Sequence, residues 1–276
     1  SETAGTGVDL NGKTFDITGD FTISGGKVTA GAAAINVGGN FTRTAGTFTS
    51  GTSLVTFNAT EPGKTITSGG QSFYGVDFNS PNGSGTWTLQ DNFTQTNTAA
   101  FTKGTLIFNG YTYNNYNITQ TVTVGNGFTL NIGTGFLDGG GGFVNRMSLV
   151  VGDGSYVGIG TNGRILTHNL TINGTGTFNN TGSSTIWAYN NIIISSPNWI
   201  PGTSTLIRRI GTANVTITRP IYNFIEGYTA NSTQTTLLAD LTILNDLTVV
   251  STGGSKALVL NNYNLIIGGN LNFVIS

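Results

Sequence analysis

The chain alternates apolar and polar residues with a period of two over most of its length. Val122, Val124, Phe128, Leu130 and Ile132 alternate with Thr121, Thr123, Thr129 and Asn131, the pattern of strands with one buried face. Gly-Gly and Asn-Gly pairs, as at Gly25-Gly26, Gly38-Gly39, Gly69-Gly70 and Asn109-Gly110, punctuate these runs with residues that tolerate the positive φ of tight turns. No window carries a helical stripe with caps. The pattern predicts short strands and turns throughout.

The strands belong to a repeat. Ile17–Gly31 and Val37–Gly51 align at a fixed offset, Gly19 on Gly39, Phe21 on Phe41, Thr22 on Thr42, Gly26 on Gly46, Thr29 on Thr49 and Gly31 on Gly51. Asp20 becomes Asn40, and Val28 becomes Phe48. The same phrase returns at the far end. Leu10, Asn11 and Gly19 recur as Leu260, Asn261 and Gly269, while Phe15, Ile17, Phe21 and Ile23 fall on Leu265, Ile267, Leu271 and Phe273. An Asp/Asn-[Phe/Leu]-Thr step also recurs at Asn92, Asn169, Asp240 and Asp246.

Self-similarity at about 20 residues points to a solenoid. The expected fold is all-β, a parallel β-helix in which each repeat is one coil and equivalent residues stack about 4.8 Å apart. Roughly 12 coils would make a rod about 60 Å long. An antiparallel β-sandwich or jelly roll is the alternative. Identical residues at one repeat position, Phe21 with Phe41 and Thr22 with Thr42, favour stacking. The whole chain, 1–276, reads as one elongated β-repeat domain. From about 183 to 229 the pattern becomes irregular, and insertion loops are expected there. That stretch holds Pro197, Pro201 and Pro220. It also holds Trp187, Trp199, Arg208 and Arg209, types that often anchor interfaces, so these four are candidate partner contacts.

Repeat-like strands run almost to both ends, and no polar cap follows Leu265–Ile275. Soluble solenoids normally cap such edges. The expectation is a head-to-tail contact between copies through Val8 and Leu10 at one end and Leu265, Ile267, Leu271, Phe273 and Ile275 at the other. Such a contact generates an open filament. A chain trimmed from a longer surface protein would show the same edges. A pilin-like sandwich that donates Val259–Ile275 as a strand is a third arrangement.

Composition narrows the function. Charged residues make up 8% of the 276 residues and the net charge is −1, so no field favours nucleic acid or an anionic membrane. Hydrophobic residues are 37%, with 16 Phe and 9 Tyr, which excludes a disordered chain. Polarity comes from 47 Thr and 32 Asn rather than from charge. No stretch approaches the roughly 20 apolar residues of a membrane-spanning helix, and membrane insertion is not expected. The chain has no Cys, so disulfides and thiol chemistry are excluded.

Candidate chemistry is sparse. The single His, His168, lies between apolar neighbours at a solvent-facing position, and no nucleophile–base–acid triad is expected around it. Asp77, Asp91, Asp138 and Asp153 are scattered. Asp20 is replaced by Asn40 one repeat on, so the stacked carboxylates of a glycoside-cleaving β-helix are not preserved. Asp138-Gly-Gly-Gly-Gly and Asp153-Gly-Ser resemble calcium-binding nonapeptides only superficially, because the spacing does not repeat. No enzyme activity, metal or cofactor is expected. Asn40 and Asn92 stand in Asn-Phe-Thr sequons that the repeat phase turns outward, and they are the candidate glycosylation positions.

The phrase Leu-Asn-Gly-x-Thr-Phe-x-Ile-x-Gly-Asp-Phe-Thr, from Leu10 to Thr22, resembles the repeats of extracellular parallel β-helix proteins, filamentous-haemagglutinin-like adhesins and autotransporter passenger domains among them. The resemblance implies a right-handed parallel β-helix at the cell surface, used for adhesion or fibre formation. No secretion domain, membrane barrel or sorting motif accompanies it. The functional expectation is a structural subunit of an extracellular filament or surface layer, a homopolymer. The alternative is an adhesin or glycan-binding stalk that stacks sugars on Tyr111, Tyr113 and Tyr116.

Overall fold

The structure is a computed structural model that describes residues 7–116, 120–140, 146–209, 211–227, 233–251 and 256–275. Among them are 33 strands and no helix. All strand pairings are parallel, and the chain forms a β-solenoid of about 11 turns spaced about 22 residues apart. The antiparallel sandwich is thereby excluded.

Each turn lays down a strand on each of three faces. The first face stacks Thr14–Ile17, Ala34–Val37, Leu54–Phe57 and Gly75–Asn79 in chain order and ends at Lys256–Val259. The second starts with Phe21–Ile23 under Phe41–Arg43 and continues through Lys64–Thr67 and Thr86–Leu89. It breaks after Trp199–Ile200 and resumes through an Ile221–Ile243 bridge into Leu265–Ile267. The third begins with Gly7–Asp9 under Lys27–Thr29. It includes Ser72–Phe73, Phe93–Gln95 and Thr112–Asn115 and ends at Leu271–Ile275. Near the start, Phe21–Thr29 and Phe41–Thr49 each turn a corner within one strand, at Gly26 (φ 65°) and Gly46 (φ 71°).

The alternation seen in the sequence becomes inside and outside. In Leu54–Phe57, Val55 and Phe57 are buried, while Leu54 and Thr56 point out. The repeat register is direct, Phe21 beside Phe41, Thr22 beside Thr42 and Val28 beside Phe48. Inside, aromatic rings form a spine. Phe21 and Phe41 lie 5.4 Å apart, Phe41 and Phe73 5.1 Å, Phe73 and Phe93 4.7 Å, and Phe93 and Tyr113 5.1 Å. Higher up the rod the filling is aliphatic, with Leu149, Leu170, Ile192 and Val215 buried in successive coils.

Two expectations change. Within 183–229 the first and third faces continue, with Thr185–Ala188 paired to both Arg164–Thr167 and Thr205–Arg208, while the second face is interrupted after Trp199–Ile200; positions 210 and 228–229 lie outside the described residues. The irregularity of this stretch includes a short coil, since Arg208 and Glu226 are neighbours only 18 residues apart. The repeated phrase also changes face. Thr14–Ile17 lies on the first face and its counterpart Leu265–Ile267 on the second. Phe21–Ile23 lies on the second and its counterpart Leu271–Phe273 on the third.

Candidate functional site

The corners carry a chemistry of their own. At a corner the strand ladder is interrupted, and a backbone N–H there needs an acceptor. An Asp or Asn of one coil supplies it to the next. Asp20 Oδ1 accepts the Asn40 N–H at 2.7 Å and the Asn40 side-chain amide at 3.0 Å. Asn40 Oδ1 in turn accepts from Thr65 N at 2.8 Å. The arrangement repeats from Asn169 to Asn191 to Asn214, from Asp240 to Asn264, and from Asn223 to Asp246 to Asn270. Each of these links has the acceptor on the earlier coil and the donor on the later one; Asp91 runs the other way, accepting from Ser68 and Gly69 of the coil below. These contacts hold the Asp20 carboxyl below the usual carboxylate range, first through the Asn40 backbone N–H and then through its side chain. Thr175 does the same to Asp153.

Nothing among the described residues pairs beneath Gly7–Asp9 or above Leu271–Ile275. Among the described residues, Phe273 is 70% exposed, Ile266 58% and Leu271 51% at one end, and Val8 is 57% exposed at the other. Leu265 and Ile267 are half-buried against the core. Leu10, expected at the contact surface, is 8% exposed and belongs to the core. Ile275 closes the last strand, but its side chain lies outside the described residues. Asn264 and Asn270 donate to Asp240 and Asp246, and among the described residues neither Oδ1 receives a donor.

Of the four expected partner contacts, Trp199 and Arg208 are buried and Trp187 and Arg209 half-buried. Arg208 is fully buried and pairs through Nε with both carboxylate oxygens of Glu226, at 3.1 and 3.0 Å, while Nη2 donates to Gly211 O. Trp199 is buried, and its Nε1 donates to Pro220 O at 2.9 Å. Trp187 is half-buried against a small cluster of Leu166 and Tyr189. Arg209 lies over the Tyr189 ring at 5.1 Å and also donates to the Tyr189 hydroxyl. Residue type alone marks Trp199 and Arg208 as interface anchors, and both side chains turn inward. Tyr113 is a further correction. It is fully buried in the aromatic spine, where desolvation pushes its hydroxyl pKa up, and only Tyr111 and Tyr116 of the three tyrosines are exposed.

Asn40 is half-buried, with both side-chain atoms engaged in the corner ladder. Asn92 is exposed, and its Oδ1 accepts the Thr112 N–H. His168 is half-buried rather than on the open surface, and desolvation lowers its pKa. The four scattered aspartates sit at different places. Asp77 accepts from Thr102, Asp91 from Ser68 and Gly69, and Asp153 from Thr175, while Asp138 pairs with Arg146 at 3.0 Å. Among the described residues no three His, Cys, Asp or Glu converge on a metal-sized site, and no helix is long and apolar enough to cross a membrane. The alternating pattern located the end strands. It had no signal for the acceptor ladder beyond the recurring Asp/Asn step. No protein-family model matches the chain, and no curated protein or solved structure was found to be similar to it.

Proposed function

We propose that the chain is a structural subunit of an extracellular filament or surface layer, without enzymatic activity, that assembles end to end through its terminal β-edges. The observation that carries this reading is the last coil. Leu271 and Phe273 stand exposed on a strand that no described residue pairs from above, Ile266 points outward from the strand before it, and the described residues of that coil carry almost no charge to keep a neighbour away. The rod behind it suits a mechanical role: a continuous apolar core, hydrogen-bonded corners and a neutral Thr/Asn exterior. The resemblance of the Leu10–Thr22 phrase to surface β-helix proteins points the same way.

Negative-stain electron microscopy of the purified chain tests the reading. Filaments with an axial repeat of about 50–60 Å are expected, about 11 turns of ~4.8 Å each plus the junction. Monodisperse short rods at high protein concentration would overturn it. In that case the glycan-binding stalk becomes the better reading, because Tyr111 and Tyr116 flank one third-face strand with both rings exposed.

A further inference from the structure

The end-to-end reading leaves open how one rod sits on the next, and the coil geometry answers it. The lowest coil runs third face, first face, second face, through Gly7–Asp9, Thr14–Ile17 and Phe21–Ile23. The highest runs first, second, third, through Lys256–Val259, Leu265–Ile267 and Leu271–Ile275. Suppose two copies stacked with their faces aligned, first on first and second on second. Gly7–Asp9 of the upper copy would then need the space that Leu271–Ile275 of the lower copy fills. Aligned stacking therefore either collides or leaves gaps.

Resting on the end-to-end reading, we infer that a second copy continues the solenoid after a rotation by one face, about 120° in a head-to-tail polymer. Gly7–Asp9 of the upper copy lies on Lys256–Val259 of the lower, Thr14–Ile17 on Leu265–Ile267, and Phe21–Ile23 on Leu271–Phe273. Every strand position along the rod is then filled once. This register places the two copies of the repeated phrase one coil apart. Inward residues meet inward residues: Val8 on Leu258, Phe15 on Leu265, Ile17 on Ile267, Phe21 on Leu271 and Ile23 on Phe273. It is the relation that Phe21 and Phe41 already have within the chain.

Two further observations fit this register. The links through Asp246 run toward the C-terminal end, and Asn270 Oδ1 is their last rung. In the rotated stack Asn270 lies under Asp20, as Asp20 lies under Asn40, and the Asp20 N–H supplies the donor. The second observation is Gly19. A Cβ on Gly39 would run into the Gly19 carbonyl and the Asp20 carboxylate, and one on Gly269 would lie 2.6 Å from Asp246 Oδ1 and 2.7 Å from Asn245 O. Those two positions require glycine because a coil lies beneath them. Among the described residues nothing lies within 4 Å of a Cβ on Gly19, and its φ is not positive. No described residue of the same chain requires glycine there. Over Gly269 of a second copy Gly19 meets the same constraint. The preceding corner position is tight as well, since a Cβ on Gly38 would lie 2.7 Å from Thr18 O and one on Gly268 would strike Leu244 O, yet it accommodates a side chain at Asn58, which donates to Val37 O just as Gly38 donates to Ile17 O.

The chain has no Cys, so engineered disulfides report the register without background. Thr22 and Asn272 both point outward. In the rotated stack they are strand neighbours, within the ~4.4–6.8 Å Cα separation that a disulfide spans. The variant Thr22→Cys/Asn272→Cys should form covalent multimers on mild oxidation, and Thr22→Cys/Ile266→Cys, adjacent only in aligned stacking, should not. Gly19→Ala should leave the thermal midpoint of the single rod unchanged and raise the concentration needed for filaments by about tenfold or more. Filaments that cross-link through Ile266→Cys, or through neither pair, overturn the rotation and leave end-to-end assembly standing. No end-to-end contact in the unmodified chain would sink both.

Discussion

Asp20 and Asn40 are joined across one turn of the solenoid by two hydrogen bonds to a single oxygen, 2.7 Å from the Asn40 backbone nitrogen and 3.0 Å from its side-chain nitrogen. The oxygen does for a corner what the next strand does along a face. It gives the N–H of the following coil an acceptor where the ladder stops.

This makes the rod sensitive to acid in a defined direction. The Asp20 and Asp153 carboxyls are held below their ordinary pKa of 3.8 by donors of the next coil. Their contribution is complete above that value, where the unfolded carboxyl is also ionised. It is lost as pH falls through the lower folded values. The thermal midpoint should therefore stay level down to about pH 4 and then decline. Asp20→Asn/Asp153→Asn keeps an acceptor oxygen at each corner and removes the titration. The decline below pH 4 should be shallower in this variant than in the unmodified chain, measured by thermal melts across pH 2–7. Identical slopes would show that these two corners do not set the acid limit.

The Arg208–Glu226 pair makes a second prediction. Both side chains are buried, and the guanidinium holds its carboxylate through Nε while donating to Gly211 O. Removing one charge leaves the other in a dry interior, at a cost of about 3–5 kcal/mol. Glu226→Gln should lower stability by that order in chemical denaturation. Arg208→Met/Glu226→Leu should recover most of the loss, because apolar residues of similar volume replace buried ion pairs at little cost. A double variant as unstable as the single one would mean that the pair contributes more than its own desolvation.

How far these relationships could be read from the sequence depends on whether a pattern repeats. Phe21 under Phe41 was legible because identical residues recur at the coil length, and stacking identical residues is what a parallel solenoid does. Alternation likewise placed Val122, Val124 and Leu130 inside. The Arg208–Glu226 pair was not legible. It joins residues 18 apart, away from the usual spacing, and an inward Arg reads as a surface Arg until its partner is known. Tyr113 was misjudged for a related reason. Tyr111, Tyr113 and Tyr116 look alike as a cluster, yet only Tyr113 lies in phase with the inward Phe93 beneath it. The shift of the repeated phrase by one face had no signal at all, because all three faces accept the same alternation. Coil lengths that vary along the rod add up to the shift, and no local motif records the sum.

Glycine at the corners offers the last prediction, which separates steric need from turn preference. Gly25 and Gly39 both lie in Gly-Gly pairs near corners, and neither has a positive φ. They differ in what lies underneath. A Cβ at Gly25 meets nothing within 4 Å, whereas one at Gly39 strikes the Gly19 carbonyl and the Asp20 carboxylate of the coil below. Backbone contacts of that kind cannot be relieved by rotating a side chain, so the coil must lift and the Asp20–Asn40 bonds must stretch. Gly39→Ala should cost about 1–3 kcal/mol, as overpacking in a tight interior does. Gly25→Ala should fall within about 0.5 kcal/mol of the unmodified chain, as a surface change without such a contact does. Equilibrium unfolding in denaturant measures both. Equal losses would show that conformational freedom, rather than the distance between coils, keeps glycine at Gly39.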